Sequence, residues 1–192
     1  MNRSQPILEF WFGDPAGLDY GEFRKIWFKK DETFDQQIRH RFLTDYERAV
    51  AGDYADWLNM PRTCLALIIV LDQFARNLFR GSPQSFAADP QALATAKVAI
   101  ANGYEAELLS VERFFLYLPF EHSENLADQN RCVQLFETLV EAAPALRHGL
   151  DYAYRHREVI EKFGRFPHRN DVLGRPSTPA EAGFLQQPGS RF

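Results

Sequence analysis

Pro61-Arg62-Thr63-Cys64-Leu65-Ala66-Leu67-Ile68-Ile69-Val70-Leu71-Asp72-Gln73-Phe74-Ala75-Arg76-Asn77-Leu78-Phe79 is the stretch that decides the fold. It opens on a proline, whose fixed φ and missing N–H suit the first turn of a helix, and Gly81 stands just past its end. From Cys64 through Leu71 it is apolar on every face, so the helix it predicts is central and buried. Beyond Leu71 the chain turns polar. With Asp72 at the origin and about 100° per residue, Arg76, Arg80, Gln73 and Asn77 share its face, while Phe74, Ala75, Leu78 and Phe79 complete the apolar side. Asp72 and Arg76 are one turn apart and can pair directly. Charged groups on a core helix are costly unless each finds a partner, so this face marks either a structural lock or a site.

Outward from this helix the same punctuation recurs, and alternating strand patterns are nearly absent. A short helix is predicted from Ser4 to Phe12, stopping at Gly13, and residues 14–30 read as either helix or packed loop around Trp27 and Phe28. Asp31 looks like the N-cap of a helix carrying Phe34, Ile38, Phe42 and Tyr46 and ending at Gly52. Asp89-Pro90 reads as a cap followed by proline, with Gly103 closing that helix. Ser110 opens another, which Pro119 should kink or stop. Ser123 suits the cap of a helix reaching about Ala143, and Pro144 opens one that continues to Phe163 and Gly164. Thr178-Pro179-Ala180-Glu181 is a capping box with proline at the first helical position. The pattern predicts an all-α chain of about eight helices, an α-α superhelix of stacked antiparallel pairs forming a single helical domain over residues 1–192. No fixed repeat is visible in the sequence.

Composition bounds the function. Apolar residues make up 45% of the 192, with 17 Phe, so the core should be rich in aromatic rings. A net charge of −4 argues against general binding to nucleic acid. The charge is uneven: residues 145–175 hold seven Arg or Lys against four Asp or Glu, and three of the five His (His148, His156, His168). That stretch reads as a solvated helix face or as an attractor for an anion. Cys64 and Cys132 are far apart and lie in helical patterns, as expected of free thiols in a reducing cytoplasm. Glu9 interrupts the start before a signal-like apolar region develops, and the longest apolar run, Cys64 to Leu71, is too short to span a bilayer. A cytoplasmic protein with no membrane contact is therefore expected.

Two further polar blocks sit in apolar surroundings. In His122-Ser123-Glu124-Asn125-Leu126-Ala127-Asp128-Gln129, the side chains of Glu124, Asp128, Asn125 and Gln129 fall on the arc that Cys132, Leu135, Phe136, Leu139 and Val140 fill further along. They point inward. Arg165-Phe166-Pro167-His168-Arg169-Asn170 is a donor-rich loop, tethered by Phe163 and Phe166, that can close over the other two blocks. The candidate ligand-binding residues are Asp72, Arg76, Asn77, His122, Glu124, Asp128, Arg165, His168 and Arg169. In this reading Arg76, Arg165 and Arg169 hold a small polar or anionic ligand, because guanidinium pairs with carboxylate or phosphate in bidentate fashion. Asp72, Glu124 and His168 orient the ligand or move protons on it, which would make the chain an enzyme. The competing reading is a non-enzymatic module that presents a concave groove to a peptide or protein partner, with the polar blocks as locks.

Other chemistries find little support. His122, Glu124, Asp128 and His168 are metal-ligand types, but no His-Glu-x-x-His or Glu-x-x-His pair exists, so no metal site is expected. Ser123 lacks the glycines of a nucleophile elbow, and Cys132 lies on the apolar stripe. No phosphate-binding loop or dinucleotide fingerprint occurs, and no cofactor is expected.

Several long motifs carry a family resemblance. Leu71-Asp72-Gln73-Phe74-x-Arg76-Asn77-x-Phe79-Arg80-Gly81, Phe86-Ala87-x-Asp89-Pro90-x-Ala92-Leu93, Tyr117-Leu118-Pro119-x-x-His122-Ser123-Glu124 and Phe163-Gly164-Arg165-Phe166-Pro167-His168-Arg169-Asn170 resemble the bacterial family known as domain of unknown function 924. Leu8-Glu9-Phe10-Trp11-Phe12-Gly13 and Leu173-Gly174-Arg175-x-Ser177-Thr178 fit as well, so the resemblance covers nearly the whole chain. It implies an all-helical, tetratricopeptide-like fold and brings no activity, cofactor or catalytic residue with it.

Overall fold

The structure, a computed structural model, describes residues 3–190 and is all-α, with no strand among those residues. The predicted punctuation works locally. Helix α1 (Ser4–Phe12) stops at Gly13, and α2 (Glu32–Ala51) starts where the Asp31 carboxylate accepts the Phe34 N–H at 3.0 Å. The difficult segment between them is irregular apart from a 3₁₀ turn at Lys25–Phe28.

The deciding stretch forms one rod in three parts. Helix α3 (Pro61–Ile68) passes into a π-helical segment (Ile69–Phe74) and then into α4 (Ala75–Leu78). Its apolar half is fully enclosed, by α1, α6 (Asp89–Ala101) and α7 (Ser110–Glu121). The π segment opens the ladder at Asp72 and Gln73, a local widening that proteins often place at functional sites. A short α5 (Gln84–Ala87) follows α4.

Helix α7 runs through Pro119 to Glu121, against the expected break. Proline removes one ladder bond and clashes with the preceding turn, a penalty of about 3 kcal/mol. Helices α3, α6, α8 (Leu126–Ala142) and α9 (Arg147–Phe163) all pack on α7, and residues 114–120 are buried throughout. That burial outweighs the lost bond. Asn125, rather than Ser123, caps α8, its side-chain oxygen accepting from the N–H groups of Ala127 and Asp128. Asp89 opens α6 from within the helix and does not cap it. Its carboxylate faces two arginines instead.

The core is aromatic, as composition requires. Trp11, Phe12, Trp27, Phe114 and Phe115 pack edge-to-face or tilted at 4.7–5.9 Å, each pair worth about 1 kcal/mol beyond the area it buries. Cys64 and Cys132 are free, buried thiols within this packing. Helix α9 approaches α7 closely only because residue 149 is glycine: a Cβ there would lie 2.4 Å from the Phe114 ring and 2.6 Å from that of Phe136. A final helix, α10 (Pro179–Phe184), begins at the predicted Thr178 capping box. Among the described residues no helix is long and apolar enough to cross a membrane.

Candidate functional site

The 3₁₀ turn, the π segment with α4, the ends of α5 and α7, one face of α9 and the loop after α9 surround a cleft of about 770 Å³. Asp72 lies behind its wall. The Asp72 side chain is fully buried, and Oδ1 accepts the His122 Nδ1–H at 2.7 Å and lies 3.2 Å from Arg76 Nη1. Gln73 Nε2 donates to the other oxygen. Burial alone would raise the pKa of this acid. Arg76 and His122 more than reverse that, so Asp72 is held ionised well below the usual carboxylate range. The histidine moves the other way: burial, and then Arg76, keep His122 neutral. Its proton is therefore on Nδ1, and Nε2 makes no protein hydrogen bond.

Arg76 and Arg169 converge on Asp89. Arg76 binds it with two bonds of 3.0 and 3.2 Å, and Arg169 adds one of 3.2 Å. These buried guanidiniums explain why Asp89 abandons the cap position, since they attract a carboxylate more strongly than neutral backbone N–H groups do. Arg169 also donates to the carbonyl of His122 at 3.1 Å and lies 4.6 Å from the ring centroids of Phe86 and Phe166. Burial pushes its pKa down to about 10, which leaves it charged at neutral pH. Its Nε is buried and meets no protein acceptor.

Glu121 ends α7 beside this cluster. Burial first, and then Asp72, push its pKa up to about 8, so its carboxyl carries a proton at neutral pH. Its Oε2 is buried with no protein partner. His156 Nδ1 lies 3.6 Å from Glu121 Oε1, but burial also keeps this histidine neutral, and Nδ1 donates to the Tyr152 carbonyl at 2.9 Å. The approach of Glu121 to His156 is thus not an ion pair. Gln129, buried on α8, fixes the corner by donating to the carbonyls of Glu121 and Ser123 at 2.6 and 2.7 Å.

Of the residues singled out in the sequence, Arg76, Asn77, His122, His168 and Arg169 line the cleft, with Asp72 behind His122. Burial, and then Arg169 and His122, bring the His168 pKa down to about 3. Asn77 and Arg80 turn toward α2, where both bind Asp35. Glu124, Asp128 and Arg165 stand outside the lining. Glu124 precedes α8 rather than riding on it, so the helical wheel does not apply to it. It accepts the Phe166 N–H at 2.7 Å and pairs with both ends of the Arg175 guanidinium at 2.8 and 3.0 Å. Asp128 binds Lys97 at 2.6 Å and Ser123 at 2.8 Å. Arg165 is paired with Glu181 at 2.6 and 2.8 Å, where the capping-box carboxylate is already in place.

The structure also brings in residues that the polar blocks do not contain. His148, Tyr152 and His156 follow one another at four-residue spacing on one face of α9, and that spacing was the signal available for them. Phe23, Lys25, Phe28 and Lys29 come from the irregular segment and carried no such signal. Among the described residues, five cationic side chains line the cleft against one carboxyl, Glu121, which is itself protonated. Among the described residues no three His, Cys, Asp or Glu side chains are grouped to hold a metal ion. The chemistry available is anion binding beside a neutral histidine with a free Nε2 lone pair and a protonated carboxyl, the two halves of an acid–base pair.

A family model described as bacterial protein of unknown function (DUF924) matches residues 7–189. A solved structure of a protein of unknown function from Agrobacterium tumefaciens is similar over 95% of this chain and 96% of its own, with a TM-score of 0.82 and 38% sequence identity. No curated protein matches the chain.

Proposed function

Starting from a chain that belongs to the DUF924 family of bacterial proteins of unknown function, we propose that it is a cytoplasmic protein whose cleft binds a small anionic ligand. One observation carries this reading. Arg169 has in its Nε a buried, charged donor without a protein acceptor, and the residue lines the same cleft as His122 and the protonated Glu121. A donor of this kind left unmatched is costly, and a ligand oxygen removes the cost. A hydroxyl on the ligand finds an acceptor in His122 Nε2, which takes its proton when chemistry follows, while Glu121 has a proton to give.

Isothermal titration with inorganic phosphate and with acetate tests the reading, on wild type and on Arg169→Lys. Lysine keeps the charge but lacks the planar fork, so saturable binding in the wild type should weaken about tenfold or more in a folded variant. His122→Asn serves as a second variant if Arg169→Lys unfolds. Absence of binding, or equal binding by wild type and folded variants, would overturn the anion site.

A further inference from the structure

The cleft is far larger than a bare anion needs. At about 770 Å³ it lies in the range of sites that enclose drug-sized molecules, and its lining mixes polar groups with aromatic rings. The outer end is built from rings that the core does not cover: Phe28 is 55% exposed, Tyr152 44% and Phe23 38%. Phe23 and Phe28 are parallel within 9° at 5.7 Å, and Phe114 closes the slot edge-on to both. Half-exposed aromatic side chains gathered at a cavity mouth are unusual on a surface unless something flat and apolar lies against them.

Charge identifies what that body carries. Arg76 and Arg169 are balanced by Asp72 and Asp89, and Arg80 by Asp35. Lys25 and Lys29, which bracket Phe28 on the same rim, have no ion-pair partner among the described residues. The lining is therefore left with two unbalanced cations beside the aromatic slot. An uncharged flat apolar ligand gains only a weak cation–π contact from them, whereas an anion on the same body also gains Coulomb attraction from the cleft's cations.

Resting on the anion reading above, we propose that the ligand is an aryl carboxylate. Its carboxylate lies at Arg169 Nε, and its ring system lies in the slot of Phe23, Phe28 and Tyr152.

Three probes separate the two ends: 2-naphthoate, acetate and 2-naphthylmethanol, titrated calorimetrically into the full chain. The wild type should bind 2-naphthoate at least about tenfold more tightly than acetate, because the rings bury apolar area that acetate lacks. Phe28→Ala, at an exposed position, should erase that advantage and leave acetate unchanged, with Tyr152→Ala as a second variant. Binding of 2-naphthylmethanol should be weaker than that of 2-naphthoate. If acetate and 2-naphthoate bind alike, the aryl slot is overturned while the anion site stands. If the alcohol binds as tightly as the acid and Arg169→Lys has no effect, the anion site itself fails and this inference with it. If none of the three binds, both are overturned.

Discussion

Asp72 Oδ1 and His122 Nδ1 are 2.7 Å apart, although fifty residues separate them in the chain. A π-helical turn presents the carboxylate and the end of α7 presents the ring. The contact fixes which nitrogen of His122 holds the proton, and so which one faces the cleft. Arg76 and Arg169 then bind the same corner through Asp89 and the His122 carbonyl.

Replacing Asp72 by Asn should disturb both roles of the carboxylate. Arg76 would lose the fully buried one of its two carboxylate partners, and removing half of a buried pair destabilises by about 3 kcal/mol or more. The neutral His122 would shift toward the other tautomer, which ¹⁵N chemical shifts of the ring detect. Wild-type stability together with an unchanged tautomer would refute this account of the pair.

Glu121 makes a specific pH prediction. Asp72 and Arg76 act on it electrostatically, His156 lies at 3.6 Å, and Cys132 feels its charge from α8. Its pKa rises from 4.5 to about 8 on folding, so the native state holds a proton that the unfolded chain releases. Its contribution to stability is thus full below pH 4.5 and is lost as pH climbs to about 8. Gln cannot ionise. Glu121→Gln should therefore gain stability relative to wild type across that window, by on the order of a few kcal/mol, as read by denaturant unfolding at several pH values. A difference between the two proteins that stays flat with pH would contradict it.

Gly149→Ala should destabilise the protein despite the better helix propensity of alanine. The added methyl meets two rings at 2.4 and 2.6 Å, and overpacking of this kind costs about 1–3 kcal/mol against about 1 kcal/mol gained from propensity. Because Phe114 lines the cleft, the same change should alter ligand affinity. Thermal unfolding that shifts upward would show that α9 can move away without loss.

Arg175 is predicted to hold the loop that carries Arg169. It binds Glu124 twice, the Phe166 carbonyl at 3.0 Å and the Asn170 side chain at 3.0 Å. Arg175→Ala should cost about 1–3 kcal/mol and speed hydrogen exchange at Phe166, whose amide is bound to Glu124. Anion affinity should fall although residue 175 does not line the cleft. Unchanged exchange at Phe166 would separate the loop from this tether.

The candidate site was legible where local geometry decides direction. Asp72 and Arg76 lie one turn apart and do pair, and the loop at residues 165–170 does bring Arg169 against Asp89 and His122. Legibility ended where a side chain had to choose among distant partners. Arg165 joined Glu181, and Glu124 joined Arg175. Asp89 reads as a cap because a cap is the local option, and only the arrival of two arginines from elsewhere displaces it.

By itself the sequence determined most of the helices and of their ends, and the aromatic character of the interior. Those depend on contacts within a few residues and on apolar periodicity, both of which are written along the chain. Tertiary structure decided that α7 continues past Pro119, that the central rod widens at Asp72, and that Phe23, Lys25 and Phe28 line the same cleft as His122. Each of these depends on which neighbour lies opposite. A buried charge pairs with whatever group packing brings within about 3 Å, and no local pattern encodes that choice.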